Sequence, residues 1–233
     1  MREYMTQIRQ CELFDRIDDE GLLKTMNCLN VQIMPCEKGK VIFHQGDAAK
    51  YFGVVLSGSI RVISNHSNGS HTLIGEVGAG ELFAESCVCA GEESLPTSFV
   101  AAKDSLVMIF DHARVINGCR NNGCLAHSML VVNLMRSIAQ KNLSLSQKLS
   151  IVTQRTTREK LMSYLNAQNK QESSDWFSIP FDRQALADYL GVDRSAMSAE
   201  LSKMKKDGLI DYRKNEFLIL DQSKECEGDE YQG

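Results

Sequence analysis

The sequence predicts an α+β protein with three consecutive parts: a domain of short antiparallel strands, one long helix, and a small domain of helices closed by a β-hairpin. Three observations support this order. Short β-prone runs separated by turn residues recur between positions 31 and 111. Apolar residues at helical spacing follow from about 122 to 153, and two short capped helices fall between 182 and 208. Each pattern is typical of one kind of element.

Residues 1–121 are predicted to form an antiparallel β-roll of the jelly-roll or cupin-like type. A short helical segment precedes it, and glycines then separate the strand-forming runs. Asn68-Gly69 between polar flanks is a strong hairpin signal. The β-prone runs are residues 31–34, 41–43, 51–56, 59–63, 72–74, 98–101 and 106–110. Several short strands at this spacing favour a closed antiparallel roll.

Residues 122–153 are predicted to form one helix of roughly 30 residues, ending at a hinge near 154–157. A helix of that length with an apolar seam is typical of a coiled-coil dimer interface. The alternative is a helix that simply packs on the roll, and Lys141 and Lys148 interrupt the seam. The seam residues are Leu125, Met129, Val132, Met135, Ile138, Leu145, Leu149 and Val152.

Residues 182–208 predict two short helices joined by a tight turn. Asp182 and Asp193 can cap the two helices, because a short carboxylate accepts hydrogen bonds from the amides of a first turn. Gly191 lies between them and Gly208 follows the second. The exposed face of the second helix offers polar and basic residues, which indicates a helix-turn-helix that could enter a DNA major groove. A plain helical hairpin is the alternative interpretation.

The segment after this motif predicts a wing. Leu209-Ile210 leads into residues 211–220, in which two β-prone runs flank a polar Lys214-Asn215 turn. Such a pattern is typical of a β-hairpin. Ile179-Pro180-Phe181 is expected to be the short strand that completes this domain, which we place at residues 154–221.

Composition and charge fit a folded protein of the reducing cytoplasm. The chain has 233 residues, 43% of them hydrophobic, and a net charge of −4. No apolar run is long enough for a membrane span, so no membrane partner is expected. Eight cysteines at irregular spacing argue against a disulfide framework. The helix at 194–206 carries four basic residues and one acidic residue, whereas the tail at 222–233 is acidic. Local positive charge is what phosphate contacts require.

Taken in order, several segments resemble the Crp/Fnr family of bacterial transcription regulators. They are residues 39–47, 51–62, 80–85, 158–161 and 182–208. The resemblance implies a homodimer in which a small-molecule effector binds in the roll and repositions two DNA-binding domains. The dimer then fits a palindromic operator in double-stranded DNA, and RNA polymerase is a partner if the protein activates transcription.

The resemblance also implies an effector pocket, and the sequence departs from the cyclic AMP pattern there. Pro96 occupies the place of the arginine that grips the cyclic phosphate, and proline supplies neither charge nor an N–H group. Ala84 replaces a glycine, and Leu145 replaces the first of two polar residues. We therefore expect an unknown effector rather than cyclic AMP, and we assign no cofactor. The candidate pocket residues are Phe83, Ala84, Glu85, Ser86, Pro96, Thr97, Ser98, Leu145 and Ser146. The alternative is that they only hold the roll together.

The candidate DNA contacts lie on the two helices and the wing. Arg194 is expected to read a guanine, because arginine bonds that base in bidentate fashion. Ala199 stands where a second arginine is usual and could meet a thymine methyl. The remaining candidates are polar or basic: Ser195, Ser198, Arg183, Gln184, Lys203 and Arg213. Arg183, Gln184, Lys203 and Arg213 are expected to hold phosphate, although solvated surface positions are an alternative for them.

Other functions are weaker interpretations of the same sequence. The cysteines lack the spacing of an iron–sulfur site, and no metal site is expected. Cys87-Val-Cys89 raises the hypothesis of a redox-sensing thiol. A cupin-like metal-dependent enzyme would need histidines converging on one barrel face, but His44, His66 and His71 lack close spacing. No catalytic site is expected. A module whose winged domain binds protein instead of DNA is the other alternative.

Overall fold

The structure, a computed structural model, describes residues 2–67, 69–118, 124–170 and 176–220. The chain forms two compact units, Met1–Lys141 and Asn142–Gly233. This boundary falls inside the long helix, so the division at 121, 153 and 221 stays a prediction. Asn68 and the acidic tail at 222–233 lie outside the described residues. Among the described helices, none has the length and hydropathy needed to cross a membrane.

The first unit begins with short helices that cover one face of the roll. After two single 3-10 turns and α1 (Met5–Ile8), helix α2 runs over Asp19–Leu29. The Asp18 carboxylate accepts a hydrogen bond from the Gly21 amide at 2.7 Å and thus caps α2. Asn30, in the left-handed conformation, ends α2 and leads into the first strand.

In the described residues of the first unit, eight strands form the roll as two four-stranded antiparallel sheets. Their order is β1-β8-β3-β6 in one sheet and β2-β7-β4-β5 in the other. The strands are β1 (Gln32–Cys36), β2 (Val41–Phe43), β3 (Tyr51–Ser57), β4 (Ser59–Asn65), β5 (His71–Gly78), β6 (Leu82–Phe83), β7 (Ser98–Ala101) and β8 (Ser105–Asp111). The predicted antiparallel roll is therefore confirmed. Sequence reasoning missed β6 and two short helices, α3 (Glu85–Ala90) and α4 (His112–Asn117), because elements of two to six residues carry little periodicity.

The sheet containing β3 and β8 is buried on both faces. A Cβ placed on Gly53 would lie 2.1 Å from the ring of Phe83, so the Gly53 face points into the roll. On the opposite face Phe52 stacks on Phe110 at 5.1 Å, and Phe110 lies 6.3 Å from Phe14 of the N-terminal segment. The N-terminal segment thus covers the outer face of this sheet, and aromatic rings pack on its inner face.

The long helix α5 runs over Leu125–Val152, close to the expected 122–153. Leu130 and Leu134 are buried in the core of the first unit, and Met129 and Ile138 pack against that core. These last two were expected in the seam, but they face the roll. The apolar residues that stay exposed on α5 are Leu125, Val132, Met135, Leu143, Leu145 and Leu149.

After the end of α5, the described part of the second unit combines three helices with a three-stranded sheet. Thr156 and Glu159 form a capping box at the start of α6 (Thr157–Asn169). Helices α7 (Arg183–Leu190) and α8 (Arg194–Lys206) follow, and the sheet order is β10-β11-β9. The strands are β9 (Trp176–Ser178), β10 (Ile210–Arg213) and β11 (Glu216–Ile219).

One strand of this unit lies earlier in the sequence than we expected. The expected strand at Ile179-Pro180-Phe181 is wrong by three residues, because Phe177 of β9 is the residue that pairs with Phe217 of β11. Pro180 has no amide to donate to a ladder. Phe181 instead packs its ring on Tyr164 and Tyr189, at 6.1 and 5.1 Å.

Candidate nucleic-acid interface and the roll interior

Local capping positions the two helices of the motif. The Asp182 carboxylate accepts a hydrogen bond from the Ala185 amide, and the Asp193 carboxylate accepts one from the Ala196 amide, both at 2.8 Å. Gly191 joins the helices with a φ of 62°, a conformation that glycine adopts without strain. These are the positions that the sequence predicted for the caps and the turn.

Helix α8 has one buried stripe and one exposed face. Met197, Leu201 and Met204 are buried in the core of the second unit. On the other side Arg194 is exposed, and among the described residues its guanidinium has no hydrogen-bond or ion-pair partner. A free, exposed guanidinium at the start of a helix is available to an external acceptor.

The other predicted residues of α8 differ in how free they are. The Ser195 hydroxyl donates to the Asp193 carboxylate at 2.5 Å, and the half-buried Ser198 hydroxyl donates to the Arg194 carbonyl at 2.9 Å. Ala199 and Lys203 are exposed. The two hydroxyls can still accept hydrogen bonds, but their donor hydrogens are engaged within the helix.

A residue outside the predicted set fixes α8 against α6. The Arg158 guanidinium bonds the Glu200 carboxylate at 2.6 Å and the Asp207 carboxylate at 2.8 Å. These bonds raise the pKa of Arg158. They join α6 to the middle and to the end of the exposed helix, so Arg158 is a positioning residue. The charge pattern could have suggested it only if the helix packing had been known.

Two arginines, one in α7 and one in the wing, have different surroundings. Arg183 donates from Nη2 to the Lys214 carbonyl at 3.0 Å, and its guanidinium lies 4.9 Å from the ring centre of Tyr212. Burial lowers the pKa of Arg183. Arg213, in contrast, is exposed and lies 5.0 Å from the ring centre of Trp176. Arg183 therefore ties α7 to the turn of the wing, while Arg213 faces outward.

An open groove of about 760 Å³ joins these parts of the second unit. Its residues come from the start of α7, the start of α8 and the tip of the wing. They are Asp182, Arg183, Gln184, Arg194, Arg213, Lys214, Asn215 and Glu216. Four of the eight are basic and two are acidic, so the groove is locally cationic although the chain carries −4 overall. It brings together Arg183, Gln184, Arg194 and Arg213 of the predicted contacts.

Three aromatic rings fill the interior of the roll near residues 80–85, one of the segments that resemble the Crp/Fnr family. Phe83 lies 5.7 Å from Phe43 and 5.6 Å from Phe99, and Phe43 and Phe99 are 6.1 Å apart. Such separations are typical of packed aromatic pairs. Phe83, which we predicted to line an effector pocket, is only 1% exposed and belongs to this cluster.

Glu85 is paired with the long helix. Its side chain is buried, and its Oε1 lies 2.7 Å from the Lys141 ammonium, which also donates to the Leu82 carbonyl at 2.7 Å. Ala84, just before it, has a φ of 63°, where an L-residue is strained by about 1 kcal/mol or more. Ser86 is exposed and its hydroxyl donates to Glu85. Because Lys141 already pairs with the buried Glu85 carboxylate, Glu85 is not free to bind an effector.

The remaining predicted pocket residues divide between surface and core. Pro96 is exposed and Thr97 is half-buried. Ser98 is buried, and its hydroxyl accepts hydrogen bonds from the backbone amide of Gln45 and from the side-chain Nδ2 of Asn65, both at 2.9 Å. Leu145 and Ser146 are exposed on α5 within the second unit.

The cysteine pair in α3 is poorly suited to redox chemistry. Partial burial, with a contribution from Glu85, raises the pKa of both Cys87 and Cys89, which lowers the fraction of the reactive thiolate. Residues two apart on a helix also point to different sides. In the described part of the chain, no three histidine, cysteine or acidic side chains gather as a metal site would require.

Comparison with known proteins identifies both units. Residues 33–122 match the cyclic nucleotide-binding domain family, and residues 159–224 match the Crp-like helix-turn-helix domain family. The cyclic AMP receptor protein of Thermus thermophilus is 26% identical over 174 residues, 74% of this chain and 76% of that protein. The transcriptional activator FnrA of Stutzerimonas stutzeri is 23% identical over 197 residues, 82% and 78% of the two chains.

A roll of the cyclic nucleotide-binding type followed by a winged helix-turn-helix defines the class of DNA-binding transcription regulators. Within that class, the chain belongs to the Crp/Fnr family, and it is a regulator rather than an enzyme. Solved structures agree on the fold. A complex of CprK with OCPA has a TM-score of 0.59 at 14% identity, covering 86% of this chain and 91% of that one. The c-di-GMP-responsive regulator CLP of Xanthomonas campestris has a TM-score of 0.52 at 16% identity, with 88% and 100% coverage.

Proposed function

We propose that this protein is a cytoplasmic, effector-responsive homodimer that binds a palindromic operator through α8. The observation that carries the proposal is the free guanidinium of Arg194 at the edge of the cationic groove. In this proposal Arg194 reads a guanine edge, and Ala199 meets a thymine methyl. Lys203, Arg213 and Gln184 hold phosphate, as the sequence led us to expect.

Three predicted contacts take more limited roles in the proposal. The Ser195 and Ser198 hydroxyls act as acceptors, since their hydrogens are engaged with the Asp193 carboxylate and the Arg194 carbonyl. Arg183 touches DNA only at the edge of its guanidinium, because Tyr212 and the Lys214 carbonyl occupy much of it. We assign to Arg183 the additional role of holding the wing in place.

The dimer proposal rests on α5. Its exposed positions include Leu125, Val132, Met135 and Leu149, and these match an alternating three- and four-residue heptad spacing with polar or small residues between them. Exposed apolar side chains at heptad spacing are stabilised by a partner helix. Met135→Glu should shift the protein from dimer to monomer in sedimentation velocity, whereas Gln140→Glu, at another exposed position of α5, should not.

We further propose that the effector is not a cyclic nucleotide. Pro96 offers no charge for a cyclic phosphate, Phe83 is packed into an aromatic cluster, and Glu85 already holds Lys141. The Glu85–Lys141 ion pair connects the roll to the helix that would carry the dimer contacts. An effector acts by binding one arrangement of these elements more tightly than another. RNA polymerase is a partner if the protein is an activator.

The test is a selection of bound genomic fragments by the purified full chain, with and without cell metabolites. We expect a palindromic motif to be enriched and the enrichment to change with metabolites. Affinity for the motif should fall by about 10³–10⁵ between ~50 and ~200 mM salt if about 6–10 phosphates are contacted. Arg61→Ala, which removes an exposed arginine of the roll, is the control for a general loss of positive charge and should bind the motif like the wild type. A shallow salt dependence would favour the protein-binding alternative, and insensitivity to all metabolites would contradict the effector.

A further inference from the structure

The end of the roll where β3 begins contains a second recess. Its volume is about 310 Å³, at the lower end of the ~300–1,000 Å³ range of small-ligand sites. Its walls come from the end of α2, the strands β1, β2, β3 and β8, and the start of α4. None of its lining residues belongs to the segments 80–86 or 95–98 that contain the roll residues of the cyclic-nucleotide-like pocket.

Strand register shows that the recess opens on the inner face of the sheet. Ile109 of β8 pairs with Gln32 of β1 and with Gly53 of β3. Gly53 faces the roll interior, because its missing Cβ is replaced by the ring of Phe83. Paired residues of neighbouring strands share a face, so Gln32 and Ile109 point inward as well. The recess is thus a pocket between the two sheets and not a crevice on the outer surface.

The apolar wall of the recess is a continuation of the aromatic cluster. Phe43 lines the recess and also lies 5.7 Å from Phe83. Met34 and Ile109 are half-buried and complete this wall, while Tyr51 at the rim remains 46% exposed. A flat apolar group placed here would gain burial against rings that are already fixed by their neighbours.

The rim of the recess supplies hydrogen-bond donors with no partner. Within the described part of the chain, the side chains of Asn30, Gln32 and Tyr51 make no hydrogen bond. Arg114 forms a long ion pair with Asp111, which also lines the recess: its Nε lies 3.7 Å from that carboxylate, beyond hydrogen-bond length, and 53% of its side chain is exposed. Within the described part of the chain, the two Nη groups of Arg114 have no hydrogen-bond or ion-pair partner. Asp111 is itself engaged as the cap of α4, where it accepts the Arg114 amide.

We propose that this recess binds a small carboxylate with an aromatic or short aliphatic body, and that this ligand is the effector of the proposed regulator. The apolar body lies against Phe43 and Ile109, and the carboxylate meets the Arg114 guanidinium, whose planar fork suits two carboxylate oxygens. The inference rests on the proposed effector response, to which it adds a site and a ligand class.

A physical connection leads from the recess to the long helix. Phe43 packs on Phe83, and Phe83 precedes the strained Ala84 and the buried Glu85 that bonds Lys141 of α5. A ligand that displaces Phe43 would therefore act on Phe83, two residues before Glu85 of this ion pair. Ligand binding at the recess and its effect on operator affinity are measured separately, because proximity alone does not establish coupling.

The experiment measures the melting temperature of the full chain with phenylacetate, benzoate and hexanoate as probes. Each probe is titrated to about 10 mM, where even a millimolar dissociation constant gives near-saturation. We expect at least one carboxylate to raise the melting temperature of the roll by about 3–6 °C at roughly ten times its dissociation constant. Phenylacetamide, the uncharged analogue, and benzylamine, the cationic one, should give a smaller shift or none.

Two variants and a matched control locate the effect. Arg114→Gln should abolish the shift, and Gln32→Trp, which places a ring at the mouth from an exposed position, should block it. Arg61→Gln is the control: Arg61 is 51% exposed and lies 3.9 Å from a carboxylate, Glu76, much as Arg114 lies near Asp111. This control should keep the full shift.

The outcomes separate the recess from the proposed function. Absence of a shift with every carboxylate, or equal loss in Arg61→Gln and Arg114→Gln, overturns the recess while leaving operator binding intact. A shift that depends on Arg114 but leaves operator affinity unchanged keeps the ligand site and overturns its role as the effector site. A shift accompanied by an Arg114-dependent change in operator affinity supports both.

Discussion

Arg194 of the second unit is exposed because nearby sequence signals place it there, whereas Phe83 of the roll is buried because distant strands converge on it. Asp193 caps α8 and Gly191 sets the turn, so the position of Arg194 follows from residues within a few places of it. Phe83 meets Phe43 and Phe99, which are 40 and 16 positions away in sequence. The comparison teaches that the exposed face of α8 is specified locally and the interior of the roll is not.

Replacing one core ring in each region should produce the largest effects. Phe83→Ala and Phe217→Ala each remove a fully buried ring, and each should cost about 3–5 kcal/mol in the free energy of unfolding of its own unit. Differential scanning calorimetry of the full chain should show Phe83→Ala lowering the transition of the roll and Phe217→Ala lowering that of the winged unit. Equal movement of both transitions by either variant would contradict the independence of the two cores.

Two of the three groove arginines, Arg194 and Arg183, extend the comparison within the second unit. Arg194→Ala should weaken operator binding by about 1–3 kcal/mol per half-site without lowering thermal stability, since its guanidinium has no hydrogen-bond or ion-pair partner in the described chain. Arg183→Ala should lower the stability of the winged unit by about 1 kcal/mol, because it loses a charged hydrogen bond and ring contacts.

The measurements that separate these two arginines are fluorescence anisotropy on operator DNA and chemical denaturation of the same samples. Lys206→Ala, an exposed basic position of α8, serves as the control for a general loss of charge. If Arg183→Ala proves worse than Arg194→Ala for DNA affinity while leaving stability unchanged, the roles assigned to the two residues are reversed.

Acidification should produce the smallest change in stability, and the change should fall on the second unit, where Asp193 caps α8. Hydrogen bonds from the Ser195 hydroxyl and the Ala196 amide lower the pKa of Asp193 below its ordinary value of 3.8. A lowered folded pKa contributes stability that is present above the unfolded value and is lost as pH falls through the folded one. Stability of the winged unit should therefore decline from about pH 5 downward.

Denaturation curves recorded across that pH range check this expectation. Asp193→Asn keeps an oxygen that can cap α8 but cannot titrate, so it should show a shallower decline than the wild type. Asp211, whose pKa is lowered by Lys205, contributes in the same window and should leave a residual slope. An unchanged slope in Asp193→Asn would remove Asp193 from the explanation.

Sequence patterns predicted most of the fold and named four of the eight residues that line the groove. The strands of the roll, the caps at Asp182 and Asp193, and the hairpin around Lys214 follow from short-range signals of turn, cap and alternation. The strand at β9 was misplaced because Ile179 and Phe181 have strand-like character, although pairing with Phe217 selected the residues just before them. Local propensity is overridden where a partner strand decides the register.

The sequence alone determined the order of elements and the exposed basic helix with Arg194. These depend on residue type and on neighbours within a turn or two of helix. Only the tertiary structure decided that Lys141 forms an ion pair with Glu85, that Arg158 forms one with Glu200 of α8, and that a recess opens beside Phe43. The physical reason is that ion pairs and cavities depend on which side chains packing brings together, and that proximity is set by the whole fold.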